Sequence, residues 1–302
     1  MSSLTARTAI QADPTAPKPT RRRKGLSPRL RTVAILSYLM LIILSLIYIY
    51  PFLISIAGSF KTDADATGNP LSLIPQTWTA AAYERLFTDE PLPQWALNST
   101  IVTIFVTAGR VFFDSLAGYA LSRLQFRGRG IVFAAVIAVM AVPAVVLLIP
   151  RFLILKELGL FDTYGGMILP LIIDAAGIFI MKQFFESIPI SVEEAARIDG
   201  AGVFRTFWTI VLPMARPAVI TLTILSFQGS WNEYAHFIVS RQSADLNTLT
   251  TGVGSLVSGQ LGQGNQYPLV LASAMLMTVP VAIVFFIFQK RLMNTTEGGE
   301  KG

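Results

Sequence analysis

Six apolar runs divide this chain, and they leave few folds open to it. They cover Val33–Ala57, Trp95–Leu121, Ile131–Leu155, Tyr164–Phe184, Ala218–Val239 and Pro268–Phe288. A helix rising 1.5 Å per residue needs roughly 20 residues to cross about 30 Å of hydrocarbon, and each run approaches or exceeds that length. Within lipid, a helix satisfies its own backbone N–H and C=O groups, so an open strand has no place there. The composition agrees: 53% of residues are hydrophobic and 14% charged, against about 25% charged in soluble domains. The runs therefore predict an all-α membrane protein with six transmembrane helices.

Lysine and arginine set the orientation. With the N-terminus inside, inner segments hold eighteen basic residues and outer segments five. The excess of Lys and Arg on inner loops predicts that both N- and C-termini are cytoplasmic. On this reading the net charge of +6 reflects basic cytoplasmic loops, and no nucleic acid is expected as a partner. Arg21-Arg22-Arg23-Lys24 precedes an apolar run too long for a signal peptide, and no small-residue cleavage site follows it. Residues 1–32 read as a disordered, basic cytoplasmic tail. The sequence has no cysteine, which excludes disulfides, Cys-ligated zinc and thiol catalysis. A single histidine, His236, rules out a multi-histidine metal centre, so no metal site is expected.

One polar segment stands between two apolar runs: Ser191-Val192-Glu193-Glu194-Ala195-Ala196-Arg197-Ile198-Asp199-Gly200, followed by Ile210-Val211-Leu212-Pro213. Ser191 with Glu194 three residues on predicts a capping box. Gly200 and Gly202 predict a turn with positive φ. Phe204, Phe207, Trp208 and Val211 recur at helical spacing and predict one apolar face.

The spacing of Glu194-Ala195-Ala196, Gly200, Ile210, Leu212 and Pro213 resembles the EAA loop of ATP-binding-cassette (ABC) importer permeases. Further stretches resemble the carbohydrate branch of that family, in particular the smaller maltose-type permease subunit. They include Gly118-Tyr119-Ala120-Leu121-Ser122-Arg123, Leu158-Gly159-Leu160-Phe161-Asp162-Thr163 and Trp231-Asn232-Glu233. The C-terminal tail departs from the family's usual Val-Lys-Gly ending: it carries Gln289-Lys290-Arg291 and ends Glu300-Lys301-Gly302.

The resemblance implies a permease domain over residues 33–290, with a core of about 95–288, a coupling loop of about 187–213 and a cytoplasmic C-terminal tail over 291–302. It implies a bacterial cytoplasmic (inner) membrane location. The partners it implies are a second permease subunit, expected as a heterodimer, two ATPase subunits that bind ATP and Mg, and an extracytoplasmic sugar-binding protein. ATPase coupling would fall to Glu194, Ala195, Ala196, Asp199, Gly200, Leu212 and Pro213. No cofactor is expected in this chain itself.

Polar residues within the runs are the other candidates, since charge in hydrocarbon is costly and usually faces a cavity or a partner. Arg110 and Asp114 lie four apart and can pair along one helix face or anchor the cytoplasmic end. Asp174 has no helical partner within reach; it serves a pathway or meets a neighbouring helix. Gln228, Trp231 and Asn232 share a face, with Glu233 beside them. Amides and an aromatic platform suit a hydroxyl-rich solute, and the same groups also serve as interhelical glue. Pro143, Pro150 and Pro280 predict kinks, which shape cavities or merely packing.

The outer segment from Lys61 to about Gln94 predicts a short helix over 79–87, with Tyr83, Leu86 and Phe87 on one face. It forms either a cap or a docking surface. Trp78 and Trp95 suit the lipid–water interface. Gly252, Gly254, Gly259, Gly262 and Gly264 read as a flexible outer loop.

No G-x-x-x-x-G-K-[ST] segment is present, so the chain is not expected to bind ATP as a P-loop protein. There is no G-x-S-x-G elbow and no H-E-x-x-H. The leading expectation is a non-catalytic permease subunit of a carbohydrate importer. The rivals are the same scaffold carrying glycerol phosphate, a polyol or a peptide; a membrane-embedded enzyme using Asp174, Glu233 and His236; and an autonomous channel or ion-coupled carrier.

Overall fold

The structure, a computed structural model, describes residues 28–259 and 266–297. Most of the expected N-terminal tail, the last residues of the C-terminal tail, Gly262 and Gly264 lie outside the described residues. Among the described residues every regular element is helical. The chain divides into two compact units at Pro51 and Phe52. Helix α1 (Pro28–Ser59) runs across that division. Up to Pro51 its large apolar side chains, such as Leu36, Ile43 and Ile47, are exposed, as expected of a helix whose solvent is lipid.

In the second unit, short helices α2 (Asp63–Gly68) and α3 (Ala81–Thr88) precede the long helix α4 (Leu92–Arg123). Leu86 of α3 is fully buried, whereas Phe87 is exposed, so the expected face of α3 narrows to Tyr83 and Leu86. Beyond α4 come α5 (Arg129–Met140), α6 (Leu148–Glu157), α7 (Tyr164–Ile168) and α8 (Ala175–Ser187). Then follow α9 (Ile190–Ile198), α10 (Val203–Thr206), a π-helical turn (Phe207–Val211), α11 (Leu212–Met214) and α12 (Arg216–Trp231). Helices α13 (Ala235–Ser240), α14 (Leu249–Gly259) and α15 (Tyr267–Glu297) complete the chain.

Among the described residues, four helical stretches are long and apolar enough to cross a membrane, or up to six if each bent pair counts as one span. The third apolar run is one such pair. It bends by 101° between α5 and the residues from Ala144 onward. Pro143 at the break lacks an N–H and disfavours helical geometry in the residue before it. Pro150 falls in the first turn of α6, where a missing N–H costs little, and Pro280 lies inside an uninterrupted α15.

The fifth run, expected to be continuous to Val239, instead stops at Trp231 and restarts at Ala235. Glu233 Oε1 accepts the His236 backbone N–H at 2.9 Å and its carbonyl accepts the Thr250 hydroxyl at 2.6 Å. These bonds hold the break open.

Helix α4 threads the core. Leu92, Trp95, Asn98, Ser99, Val102 and Val106 are buried at spacings of three and four, the stripe of one helix face. Trp95 is 2% exposed, which corrects its placement at the lipid interface. A Cβ on Gly252 would stand 2.2 Å from its ring, so only glycine lets α14 lie on the indole. Gly252 and Gly254 are therefore helical packing residues, not parts of a flexible loop. Asn98, fully buried, binds four groups. Its amide donates to the carbonyls of Asp245 and Asn247, each at 2.7 Å, and its oxygen accepts Tyr164 Oη at 2.5 Å and Gln94 Nε2 at 3.1 Å.

Small residues bring α4 close to α8 and the turn before it. A Cβ on Gly109 would lie 2.7 Å from Ile172 Cβ, and one on Gly118 would lie 2.7 Å from Met181 Cβ and 2.9 Å from the Lys182 backbone nitrogen. Without a hydrophobic force between helices in lipid, such close approach is what drives their association.

Between α6 and α7, Asp162 adopts φ 61°. Its carboxylate accepts the N–H groups of Gln242 and Ser243, each at 2.8 Å, and the Ser243 hydroxyl. The Gln242 N–H above all, with the Ser243 groups, holds this carboxyl below its ordinary value. Because the folded value is lowered, the interaction is complete above the unfolded carboxylate range and is lost as pH falls through the folded value. D162N should keep the backbone shape, since Asn tolerates positive φ, yet speed amide exchange at Gln242 and Ser243 relative to the native chain at neutral pH. Unchanged exchange would mean that the charge does not hold this loop.

Candidate functional site: the α9 helix and its anchorage

Helix α9 begins two residues earlier than its sequence predicts. Pro189 precedes the first turn and Ile190 is the first helical residue; no side chain caps this end. Ser191 lies inside the helix, so the expected capping box does not form. Proline before the helix, with φ already fixed near −60°, does the starting.

The C-terminal end matches expectation at one glycine and departs at the other. Gly200 has φ +78°. The Gly200 N–H donates to Arg197 O at 3.1 Å and the Ala201 N–H to Ala196 O at 2.9 Å. This pair of bonds is a Schellman closure, which requires a left-handed residue just past the helix. Gly202, by contrast, has φ −73° and leads into α10.

The helix is two-faced. Glu193 and Ala196 are buried, whereas Glu194, Ala195, Arg197, Ile198, Asp199 and Gly200 are exposed. Ile198 is 86% exposed and Phe204 of α10 76%. Past α10, the expected apolar face splits. Phe207 and Val211 enter the core, Trp208 is exposed, and Phe204 points away from it. Leu212 and Pro213 are half-buried in α11. Leu212 and Trp208 line an apolar groove of about 500 Å³ together with Thr107, Phe112, Ser115 and Thr223.

Sequence reasoning missed what holds α9 in place. Glu193 Oε1 lies 3.1 Å from Arg123 Nε, and both side chains are over 90% buried. Tyr119 Oη donates to Glu193 Oε2 at 3.4 Å. The Arg123 guanidinium also donates to the carbonyls of Phe185 and Ile188, which end α8. One cation thus joins α4, α8 and α9. Removing one partner of a buried ion pair costs about 3–5 kcal/mol, because the other charge is left unpaired in low dielectric. The signal was present in the sequence: Glu193 and Ala196 share a face, so packing Ala196 inward buries a carboxylate, which requires a cation.

A second polar set lies nearby. Lys182 Nζ sits 2.7 Å from Glu186 Oε1 and 4.2 Å from the centre of the Phe133 ring, and Arg129 Nη2 reaches Glu186 at 3.8 Å. It ties the start of α5 to α8.

The intramembrane candidates do not form one constellation. Asp174 caps α8: its carboxylate accepts the Gly177 N–H at 3.1 Å, and its own N–H donates to Asp114 Oδ1 at 3.0 Å. Arg110 turns from Asp114 to Leu171 O, at 2.7 Å, so the expected self-paired face is replaced by two contacts with the segment before α8. Trp231 turns into the core, where its Nε1 donates to Met277 O at 3.1 Å and its ring stacks on Phe227. Gln228 and Asn232 remain together and exposed, with Asn232 Nδ2 donating to Gln228 O at 3.0 Å.

The chain belongs to the family described as binding-protein-dependent transport system inner membrane component, whose model matches residues 114–296. It is 32% identical to the arabinooligosaccharides transport system permease protein AraQ of Bacillus subtilis (strain 168), over 91% of this chain and 99% of that protein. It is 29% identical to the sn-glycerol-3-phosphate transport system permease protein UgpE of Yersinia pestis bv. Antiqua (strain Antiqua), over 90% of this chain and 98% of that one. The fold matches a chain in the crystal structure of a bacterial ABC transporter involved in the import of the acidic polysaccharide alginate. The TM-score is 0.76, at 28% identity, covering 88% of this chain and 98% of that chain.

Proposed function

We propose that this chain is one half of the membrane pathway of a carbohydrate importer driven by ATP hydrolysis in separate subunits. It crosses the bacterial inner membrane six times, with both termini in the cytoplasm. A second, non-identical permease completes the pathway, a pair of ATPase subunits binds α9 and the residues up to Pro213, and an external binding protein delivers the sugar. The exposed face of α9 carries this reading: Ile198 presents apolar surface on the same helix face as the small Ala195, and Phe204 of the following α10 is exposed as well. Contiguous exposed apolar surface marks an interaction site. Lipid does not explain that face, because Glu194, Arg197 and Asp199 share it. Asp174, Gln228, Asn232 and Glu233 remain the polar candidates for the pathway, with Trp231 supporting them from the core side.

The relatives that carry arabino-oligosaccharides and glycerol 3-phosphate divide the cargo question. Thermal shifts of the partnering binding protein, measured against a panel of neutral oligosaccharides and glycerol 3-phosphate, decide it. An oligosaccharide should raise the melting temperature. A shift with glycerol 3-phosphate alone would replace the carbohydrate reading with the phosphate one.

A further inference from the structure

We infer that Arg123, Tyr119 and Glu193 form a clamp that makes α4, α8 and α9 one moving body, and that motion of α9 reaches the membrane helices through it. This rests on the coupling role proposed above and deepens it by naming the residues that transmit. The geometry carries the argument. Besides its two covalent connections, α9 is tied by the buried Glu193 carboxylate to Arg123, at the last turn of α4. The same guanidinium satisfies the carbonyls of Phe185 and Ile188, which end α8. Shifting α9 relative to either helix would separate buried opposite charges and leave helix-end carbonyls unpaired; moving all three together breaks neither interaction. Just above the clamp, Gly118 brings the backbones of α4 and α8 into contact, so the two helices cannot slide freely.

The covalent route on the other side of α9 passes through the π-helical turn Phe207–Val211 and then a bend of 80° into α12. Such turns occur frequently at functional sites. Phe207 at the start of this turn packs on Tyr119 and Phe185, at ring-centre distances of 4.9 and 6.2 Å, so the turn rests against the same α4–α8 body that the clamp engages. Glu193 is a positioning residue: it acts through Arg123 rather than on cargo or nucleotide.

The absence of cysteine provides the test. The full transporter is assembled with T223C in this chain, a residue lining the groove between α4 and α12. Labelling by N-ethylmaleimide is followed on this chain with and without MgATP. In the otherwise native assembly MgATP should change the labelling rate by about fivefold or more, the low end of ordinary coupling between sites. With E193A added, that ratio should fall to about one while the assembly still hydrolyses ATP. A full ratio in E193A would overturn the clamp as a transmitter.

Absence of any MgATP effect in the native assembly would instead sink the coupling reading itself, and this inference with it. If E193A fails to assemble, E193Q decides, because its amide keeps the shape and loses the charge. Assembly of E193Q with a reduced ratio supports the inference. Assembly with a native ratio, or no assembly, overturns it, because the pair would then serve structure alone.

Discussion

G118L is expected to be the most damaging substitution in the membrane core. The first added carbon would already stand 2.7 Å from Met181 Cβ and 2.9 Å from the Lys182 backbone nitrogen. A side chain tip can swing aside; a backbone nitrogen within α8 cannot, so the two helices must part. Overpacking of this kind costs about 1–3 kcal/mol and sometimes more. The loss should appear as a lower melting temperature of the detergent-solubilised protein and a smaller yield of assembled transporter. G130A is the control, because nothing lies within 4 Å of a Cβ there. Equal stability of the two variants would show that α4 and α8 have room to separate.

G200V is expected to abolish transport by a different physical route. A Cβ at Gly200 meets nothing within 4 Å, yet φ is +78°. Left-handed backbone costs an ordinary L-residue about 1–2 kcal/mol, and a β-branched one more. The cheapest response is to unwind the end of α9, which loses the bonds from Gly200 and Ala201 back into the helix. Uptake by the reconstituted importer should fall by about tenfold or more, equivalent to about 1.4 kcal/mol, with the protein still in the membrane. G202A tests the cause. It also enters open space, but at φ −73°, and should leave uptake near the native level. G200N should lie between the two, because asparagine accepts this conformation more readily. Equal damage from G202A and G200V would mean that α9 needs smallness along its end and not a left-handed turn.

The helices were legible in the sequence because hydropathy is a local property, and Pro143 marked the largest bend for an equally local reason. The turn at Gly200 was legible because glycine past an amphipathic helix has few other uses. Other features depend on partners far along the chain. Asp174 looked like an unpaired carboxylate in lipid until the fourth run broke and made it a cap. The fifth run gave no sign of its break, which is held by Glu233 bonding across to α13 and α14. Trp95 has the residue type of an interfacial anchor, and only the approach of Gly252 of α14 shows that it is buried. The clamp joins positions seventy residues apart, each with ordinary local chemistry. Sequence singled out the helix proposed to receive motion; the tertiary structure was needed to find what it is bolted to.

The π-helical turn Phe207–Val211 bears on the angular phase of this linkage. A helix advances about 100° per residue, so one extra residue in a turn rotates everything before it by that amount relative to everything after. Phe207 and Val211, at the two ends of the turn, are both buried, whereas Phe204 before it and Ile198 of α9 are exposed. The joint between the displayed helix and the membrane is thus keyed by rotation as well as by length. A one-residue change in this turn would redirect the displayed surface while leaving every residue of that surface in place.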